Sequence, residues 1–379
     1  MEAQEHRAAR SVLIVGAGMI GTSVAMALAE RGHRILLDDK DPVNLSAAVR
    51  VSGGAAYAAE AVDLAVVAVP PSRTGPVLLD LLRSGAAAAV TDCASVKAEP
   101  LRVVTAGVCA WTDDERPVAA RTVAYVGGHP LAGRERRGPR AARVDLFAGR
   151  PWVLTPHEGS SSDAVSAAEW AVRECRATPV FMTPAEHDRA VAVTSHLPQM
   201  LASALAGQLE HEDDHVLALA GQGLRDMTRI AGSDPELWSD IVTGNADAVA
   251  EVLDRVASRL LFVAGGLRDA PPEVAAEVVR ALVESGRSGR QRMPGKHGES
   301  PRVYRAVPVV VPDERGQLAR LLGDAAEANV NIEDIRVDHA PGLPVGLIEL
   351  YVAPDAEETL SRALALRGWT LTSLETDET

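Results

Sequence analysis

Cysteine is nearly absent from this chain: three thiols, Cys93, Cys109 and Cys175, are scattered through 379 residues. They make neither a disulfide framework nor a metal cluster, so a reducing cytoplasmic location is expected. Aromatic residues are scarce too, with five Trp, four Tyr and three Phe, and any core must rest on Ala, Val and Leu. No apolar run reaches the ~18 residues that a spanning helix needs. The opening residues carry Glu2, Glu5, Arg7 and Arg10 without an apolar stretch, and no signal peptide is expected. Positive charge is the minority sign: 38 Lys and Arg stand against 52 Asp and Glu, a net charge of −14. Nucleic-acid binding needs a basic footprint to displace counterions, and an acidic chain lacks it; anionic membrane is disfavoured on the same ground. With 47% hydrophobic and 24% charged residues the chain is globular and not disordered. At roughly 100–200 residues per domain, the length predicts two or three domains.

Residues 11–180 alternate short β-branched runs, at 12–15, 34–37, 64–69, 88–91, 122–126 and 152–154, with helical segments. That is the pattern of βαβ units and a mostly parallel sheet. The run at 64–69 has no polar residue, as in a strand buried on both faces. Residues 183–287 read as helical. Thr183-Pro184-Ala185-Glu186 forms a capping box with Pro at the first helical position. A long Ala-rich stretch from 189 to 210 is interrupted by Pro198, and Ser233 with Glu236 reads as a second capping box. Helices this apolar need partners on several faces, which predicts a homodimer. The stretch from 285 is rich in Gly, Ser and Arg and places a linker at 288–301. Residues 302–379 follow a βαββαβ order, with strands at 304–311, 331–337, 346–352 and 369–374 and helices at 316–328 and 356–366, a small α+β domain.

Gly16-Ala17-Gly18-Met19-Ile20-Gly21 follows the first strand directly and opens an Ala-rich helix. Each glycine serves the turn, the approach of a pyrophosphate, or the packing of helix on strand, with the phosphate on free N–H groups at the helix start. This is a Rossmann-type dinucleotide fingerprint. Asp38 closes the next strand and reads as the acid that accepts both ribose hydroxyls and repels a 2′-phosphate, so NAD is expected over NADP. Val69-Pro70-Pro71-Ser72 ends the apolar strand at its carboxyl end, where ligands bind in open α/β sheets; a plain strand-stopping Pro pair is the alternative.

Two further strand ends carry chemistry. Thr91-Asp92-Cys93-Ala94-Ser95-Val96-Lys97 follows one, and Gly127-Gly128-His129-Pro130-Leu131-Ala132-Gly133 follows the next. Read as loops at one edge of the sheet, they bring Ser95, Lys97 and His129 to the expected nicotinamide position. A histidine there takes the proton of a substrate hydroxyl while hydride leaves the same carbon, and a serine beside it shares a hydrogen bond with the reacting oxygen. Alone, His129 reads as a structural loop residue; the flanking glycines, which let backbone approach a ligand, favour the base.

These segments, with Ser195-His196-Leu197-Pro198, Asp226-Met227-Thr228-Arg229-Ile230-Ala231, Ser233-Asp234-Pro235 and Trp238, make the chain resemble the prephenate/arogenate dehydrogenase family of tyrosine biosynthesis. Residues 313–318 and 331–332 resemble an ACT domain, a small-molecule regulatory module, with Gly316 and Asn331 as its ligand positions. The resemblance implies an NAD-binding Rossmann domain at 11–180, a helical dimerisation and substrate domain at 183–287, and an ACT-like regulatory domain at 302–379. It implies His129 as base, with Ser95 bound to the same ring hydroxyl near the nicotinamide. Arg229 then binds a substrate carboxylate, His196 and Lys97 line the site, Glu135 is a gating acid, and Trp238 approaches the partner subunit's site. Without the family, His196 reads as a core histidine and Trp238 as a core aromatic. Gly16, Gly18, Met19, Ile20, Gly21, Asp38, Val69 and Pro70 form the cofactor set. The run Arg134-Glu135-Arg136-Arg137 departs from the family pattern. The implied reaction is oxidative decarboxylation of prephenate, or of arogenate to give tyrosine directly, with tyrosine as candidate effector. A non-catalytic NAD-binding amino-acid sensor is the rival, and it gives no reason to keep Ser95, His129 and Arg229 together.

Overall fold

The computed structural model describes residues 9–110, 124–132, 138–293, 304–339 and 345–372. The chain gathers into two units, residues 1–211 with 228–256 and residues 212–227 with 257–379. The boundary therefore cuts through the helical stretch that the sequence treats as one domain. The first unit holds an eight-stranded sheet of β1 (Ser11–Val15), β2 (Arg34–Asp38), β3 (Ala55–Ala56), β4 (Val62–Val67), β5 (Ala87–Asp92), β6 (Tyr125–Pro130), β7 (Pro151–Thr155) and β8 (Thr178–Phe181). Their order is 3-2-1-4-5-6-7-8. All neighbours are parallel except β6 and β7.

Alternation along the strands sorts side chains to two faces. Val12, Ile14, Leu64 and Val66 enter one apolar cluster, with residues of α1 (Met19–Glu30), α2 (Pro42–Ser52) and α5 (Ser162–Glu174). Leu13, Ala65 and Val67 enter the other, with α3 (Pro71–Ser84) and α4 (Ala98–Cys109). The central strands are thus buried on both faces, as their apolar runs predict.

After the sheet come α6 (Pro184–Val191), α7 (Leu197–Gly207), α8 (Pro235–Thr243) and α9 (Ala246–Asp269). The Thr183–Glu186 capping box is present in both directions. Between α6 and α7 the backbone widens into a π-helical turn, Ala192–His196. Pro198 follows in the first turn of α7, where a missing N–H costs least, so the proline re-registers the helix without ending it. The second cap is Asp234 and not the expected Ser233. Asp234 caps α8 by accepting from Leu237 N at 2.8 Å, while Ser233 donates to Ile230 O at 2.7 Å. Pro235 at the first helical position makes the residue before it the cap.

The second unit contains α10 (Pro272–Gln291), β9 (Arg305–Pro312), α11 (Gln317–Glu327), β10 (Asp334–His339), β11 (Val345–Val352), α12 (Glu357–Leu366) and β12 (Thr370–Leu371). α10 continues through Gln291, so the first residues assigned to the linker are helical. Arg is a good helix former, and extending an existing helix needs no new nucleus. The four strands form an antiparallel sheet in the order β10-β11-β9-β12. Its buried face carries Val307, Val309, Ile348 and Leu350 against Leu321, Ala325, Leu360 and Leu364. The βαββαβ order matches the sequence reading, but β10 begins at Asp334 rather than at 331, after Asn329 takes a positive φ of 55°. Among the described residues, no helix is long and apolar enough to cross a membrane.

The corrected cap is open to test. Asp234→Ala removes the side-chain acceptor and lowers stability by about 1 kcal/mol, measured as a shift in urea unfolding. Glu236→Gln, which leaves the acceptor in place, shifts it by no more than a few tenths.

Candidate active site

The glycine turn is held by its packing. Gly16 takes a φ of +102°, and a Cβ there would lie 2.5 Å from Ala68 O and 3.0 Å from Val69 Cγ1. A Cβ on Gly21 would lie 2.0 Å from Gly16 O, whereas Gly18 faces open space. Met19 and Ile20 form the first turn of α1, and Gly18 caps that helix without a side-chain hydrogen bond. The turn therefore offers an open approach to the N-terminus of α1, which suits a phosphate. Pro70 caps α3, beside Val69.

The carboxylate that meets the glycine turn is that of Asp39, whereas Asp38 was expected there. Asp39 Oδ2 accepts from Ala17 N at 2.6 Å and Oδ1 from Asp41 N at 2.8 Å. Asp38 is the last residue of β2, and its backbone carbonyl accepts from Gly16 N at 2.8 Å. It lines a cavity of about 620 Å³ with Leu13, Val15 and Tyr57. One step along a strand end reverses the face that a side chain meets.

The Gly-Gly-His-Pro segment, expected as a loop, is strand. Gly127 to Pro130 lie in β6, paired antiparallel with residues 152–155 of β7. A Cβ on Gly127 would meet Thr155 Oγ1 at 2.4 Å, and one on Gly128 would meet Asp92 O at 2.5 Å. These glycines mark close backbone approach within a sheet. Lys97, expected to line the site, is turned into the protein instead. Its side chain is buried, with the ammonium bonded to Asp92 Oδ1 and Gly128 O. Asp92 also accepts from Tyr125 Oη at 2.8 Å and Ala94 N at 2.7 Å. A buried cation requires such pairing. Lys97 therefore ties β5 to the residue before His129 instead of lining an open site. Ser95 is half-buried on the same turn between β5 and α4.

His129 is partly exposed near the carboxyl end of β6, and its Nδ1 lies 2.8 Å from His187 Nε2. His187 Nδ1 in turn lies 2.7 Å from Asp188 Oδ1. The Asp188 carboxylate also accepts from Lys97 N and Ala98 N, each at 2.8 Å. Lys97 is the N-cap of α4 and makes no side-chain cap of its own, so Asp188 supplies one from another helix. Burial first, then the neighbouring His187, Lys97 and His196, hold the His129 imidazole well below its ordinary range. His196 is 1% exposed, and burial pushes its ring down to about 4. Its Nδ1 lies 3.3 Å from Asn245 Nδ2, which donates to Asp188 O at 2.8 Å.

Trp238 packs edge-on against His196 of its own chain, with ring centroids 6.1 Å apart. It lines a cavity of about 350 Å³ with Gln199, Met200, Ser233 and Val242. Arg229 is exposed on the short turn Arg229–Gly232. Gln199 of α7 holds that turn, donating to Ile230 O at 3.1 Å. Glu135 lies outside the described residues, as do Arg134, Arg136 and Arg137. In the second unit, Gly316 is the left-handed N-cap of α11 and Asn331 Nδ2 donates to Glu333 Oε1 at 2.7 Å. Among the described residues, no cluster of His, Cys, Asp and Glu is arranged to hold a metal.

The sequence reading missed Asp39, His187, Asp188 and Asn245. For the central pair a signal existed: an adjacent imidazole and carboxylate one turn into a capped helix.

The chain is similar over most of its length to proteins of one family. The family described as prephenate dehydrogenase, nucleotide-binding domain, matches residues 24–181, and its dimerization domain matches residues 183–273. A protein of Streptomyces niveus named a probable prephenate dehydrogenase is 36% identical over 368 residues, covering 95% of this chain and 99% of that protein. The crystal structure of Synechocystis arogenate dehydrogenase is similar at 26% identity and a TM-score of 0.60, covering 75% of this chain and 100% of that one. A prephenate dehydrogenase from A. aeolicus, solved with hydroxyphenyl propionate and NAD+, shares the fold at 24% identity and a TM-score of 0.62 over 75% of this chain and 100% of its own. With both parts matched in order and a relative this similar over nearly its whole length, the chain belongs to the prephenate dehydrogenase family of oxidoreductases.

Proposed function

We propose that the protein catalyses NAD-dependent oxidative decarboxylation of prephenate to 4-hydroxyphenylpyruvate. The observation that carries this reading is a partly exposed imidazole, His129, near the carboxyl end of a sheet strand, held well below its ordinary range by burial. A neutral imidazole there accepts the proton of the ring hydroxyl. Loss of carbon dioxide then makes the ring aromatic and drives the step forward. When bound, NAD accepts the hydride from the carbon that bears this hydroxyl. Gly16, Gly18, Met19, Ile20, Gly21, Val69 and Pro70 hold the cofactor in this reading, and Asp39 takes the ribose role first expected of Asp38. Ser95 hydrogen-bonds the reacting hydroxyl. Arg229 binds a carboxylate of the dianionic substrate, with His196, Trp238 and Glu135 around it. The active assembly is a cytoplasmic homodimer joined through the helical region. The C-terminal βαββαβ unit is an ACT-like regulatory module, with tyrosine as effector near Gly316 and Asn331.

NADH formation with prephenate and with arogenate tests the activity and separates the two substrates. His129→Asn lowers turnover by about a hundredfold or more with NAD binding intact, in the range expected of a general base. Acidification protonates His129 only below its lowered pKa, so kcat/KM stays flat through the usual imidazole range near 6.5 and falls only at lower pH.

Cofactor choice has its own test. Asp39→Ser weakens NAD by about tenfold and improves relative use of NADP, because a carboxylate at the ribose is removed. Asp38→Ser leaves the NAD constant nearly unchanged, measured by cofactor titration of the rate.

Regulation is tested by adding tyrosine at fixed prephenate. Tyrosine lowers activity in the full chain, and Asn331→Ala needs at least about tenfold more tyrosine for half-inhibition. Equal inhibition of both proteins assigns tyrosine to the active site.

A further inference from the structure

Two buried side chains, His187 and Asp188, lie in line behind His129 and are not used by the reading above. His187 is 0% exposed and Asp188 4%. Both ring nitrogens of His187 have partners, His129 Nδ1 at 2.8 Å and Asp188 Oδ1 at 2.7 Å. Burial alone requires partners for both nitrogens; here one of them is the ring of His129. We propose that His187 is a positioning residue that sets the tautomer and orientation of His129, with Asp188 as its anchor. The proposal rests on His129 being the base.

The polarity of the chain follows from what each atom can do. An ionised carboxylate only accepts, and Asp188 already accepts from two backbone N–H groups. With each imidazole neutral, His187 carries its proton on Nδ1 and donates to Asp188. Its Nε2 then accepts, so His129 carries its proton on Nδ1. This leaves Nε2 of His129 as the unprotonated nitrogen, ready to take the hydroxyl proton. When that proton arrives, the His129 imidazolium still donates from Nδ1 to His187 Nε2. No proton need leave the chain during the step, and no atom must turn.

The groups around His129 are compatible with this. Lys97 is paired with Asp92 and Gly128 O, His196 is uncharged near neutral pH, and Asp188 faces His187 rather than His129. The ring planes of His129 and His187 are 71° apart, which allows the lone pair of one to meet the N–H of the other. Free histidine has no such constraint, so its tautomer is the readout.

Nitrogen-15 NMR of the ring nitrogens in the full-length protein gives the direct test. The expected wild-type signature is a neutral His129 protonated on Nδ1. In His187→Phe that signature is lost, kcat falls by about 10- to 100-fold, and KM for prephenate changes by less than about threefold. His187→Gln, whose amide oxygen falls near the position of Nε2, recovers part of kcat and of the Nδ1–H signature. NAD titration and the thermal midpoint check that each variant is folded; if His187→Phe is not, the Gln variant and the wild-type spectrum decide. A wild-type His129 protonated on Nε2, or an unchanged kcat in folded His187→Phe, overturns the proposal. Retained turnover in His129→Asn overturns instead the reading that His129 is the base, while the tautomer measurement stands apart from it.

Discussion

One carboxylate organises the centre of the first unit. Asp188 accepts from the backbone of Lys97 and Ala98, and its Oδ1 lies 2.7 Å from His187 Nδ1. The first contacts fix where α4 begins and therefore where the turn bearing Ser95 sits. The last fixes the imidazole that meets His129. Truncating it would leave free N–H groups at a helix start and a buried histidine without its partner, each costly where water cannot substitute. Asn245 reaches the backbone of the same residue and the ring of His196, so α9 is held to the same point.

A second constraint comes from the other side of the sheet end. Asp92 and Lys97 are fully buried as a pair, and their hydrogen bonds extend to Tyr125 and to the carbonyl of Gly128. Such a pair adds little net stability against an apolar core. Its effect is positional, since every partner has a defined direction and β6 cannot slide relative to β5. The two glycines of β6 permit the close approach on which this depends. Lys97 thus holds the carbonyl of the residue before His129, and His187 meets the His129 ring.

Much of the architecture is visible in the residues alone because it depends on local patterns. Alternating apolar runs foretell a mostly parallel sheet, glycine spacing foretells the nucleotide turn, and Thr183 with Glu186 foretells the start of α6. Where the reading erred, two meanings of one local signal competed. Gly127 and Gly128 signal a loop or a tight approach with equal force, and only the presence of Thr155 and Asp92 opposite them decides for strand. Ser233 and Asp234 both suit a cap, and the proline that follows decides between them.

The sequence by itself determined the βαβ pattern, the dinucleotide turn, the helical middle and the βαββαβ end, because each follows from periodicity and residue type over a few turns. Tertiary structure alone decided which acid faces the glycine turn, since Asp38 and Asp39 differ only in the face that the chain presents at the end of β2. It alone also buried Lys97 and joined His129 to His187 and Asp188, residues 58 and 59 positions apart along the chain. Those contacts depend on strand register and helix placement, which are set by packing between distant segments and leave no local mark.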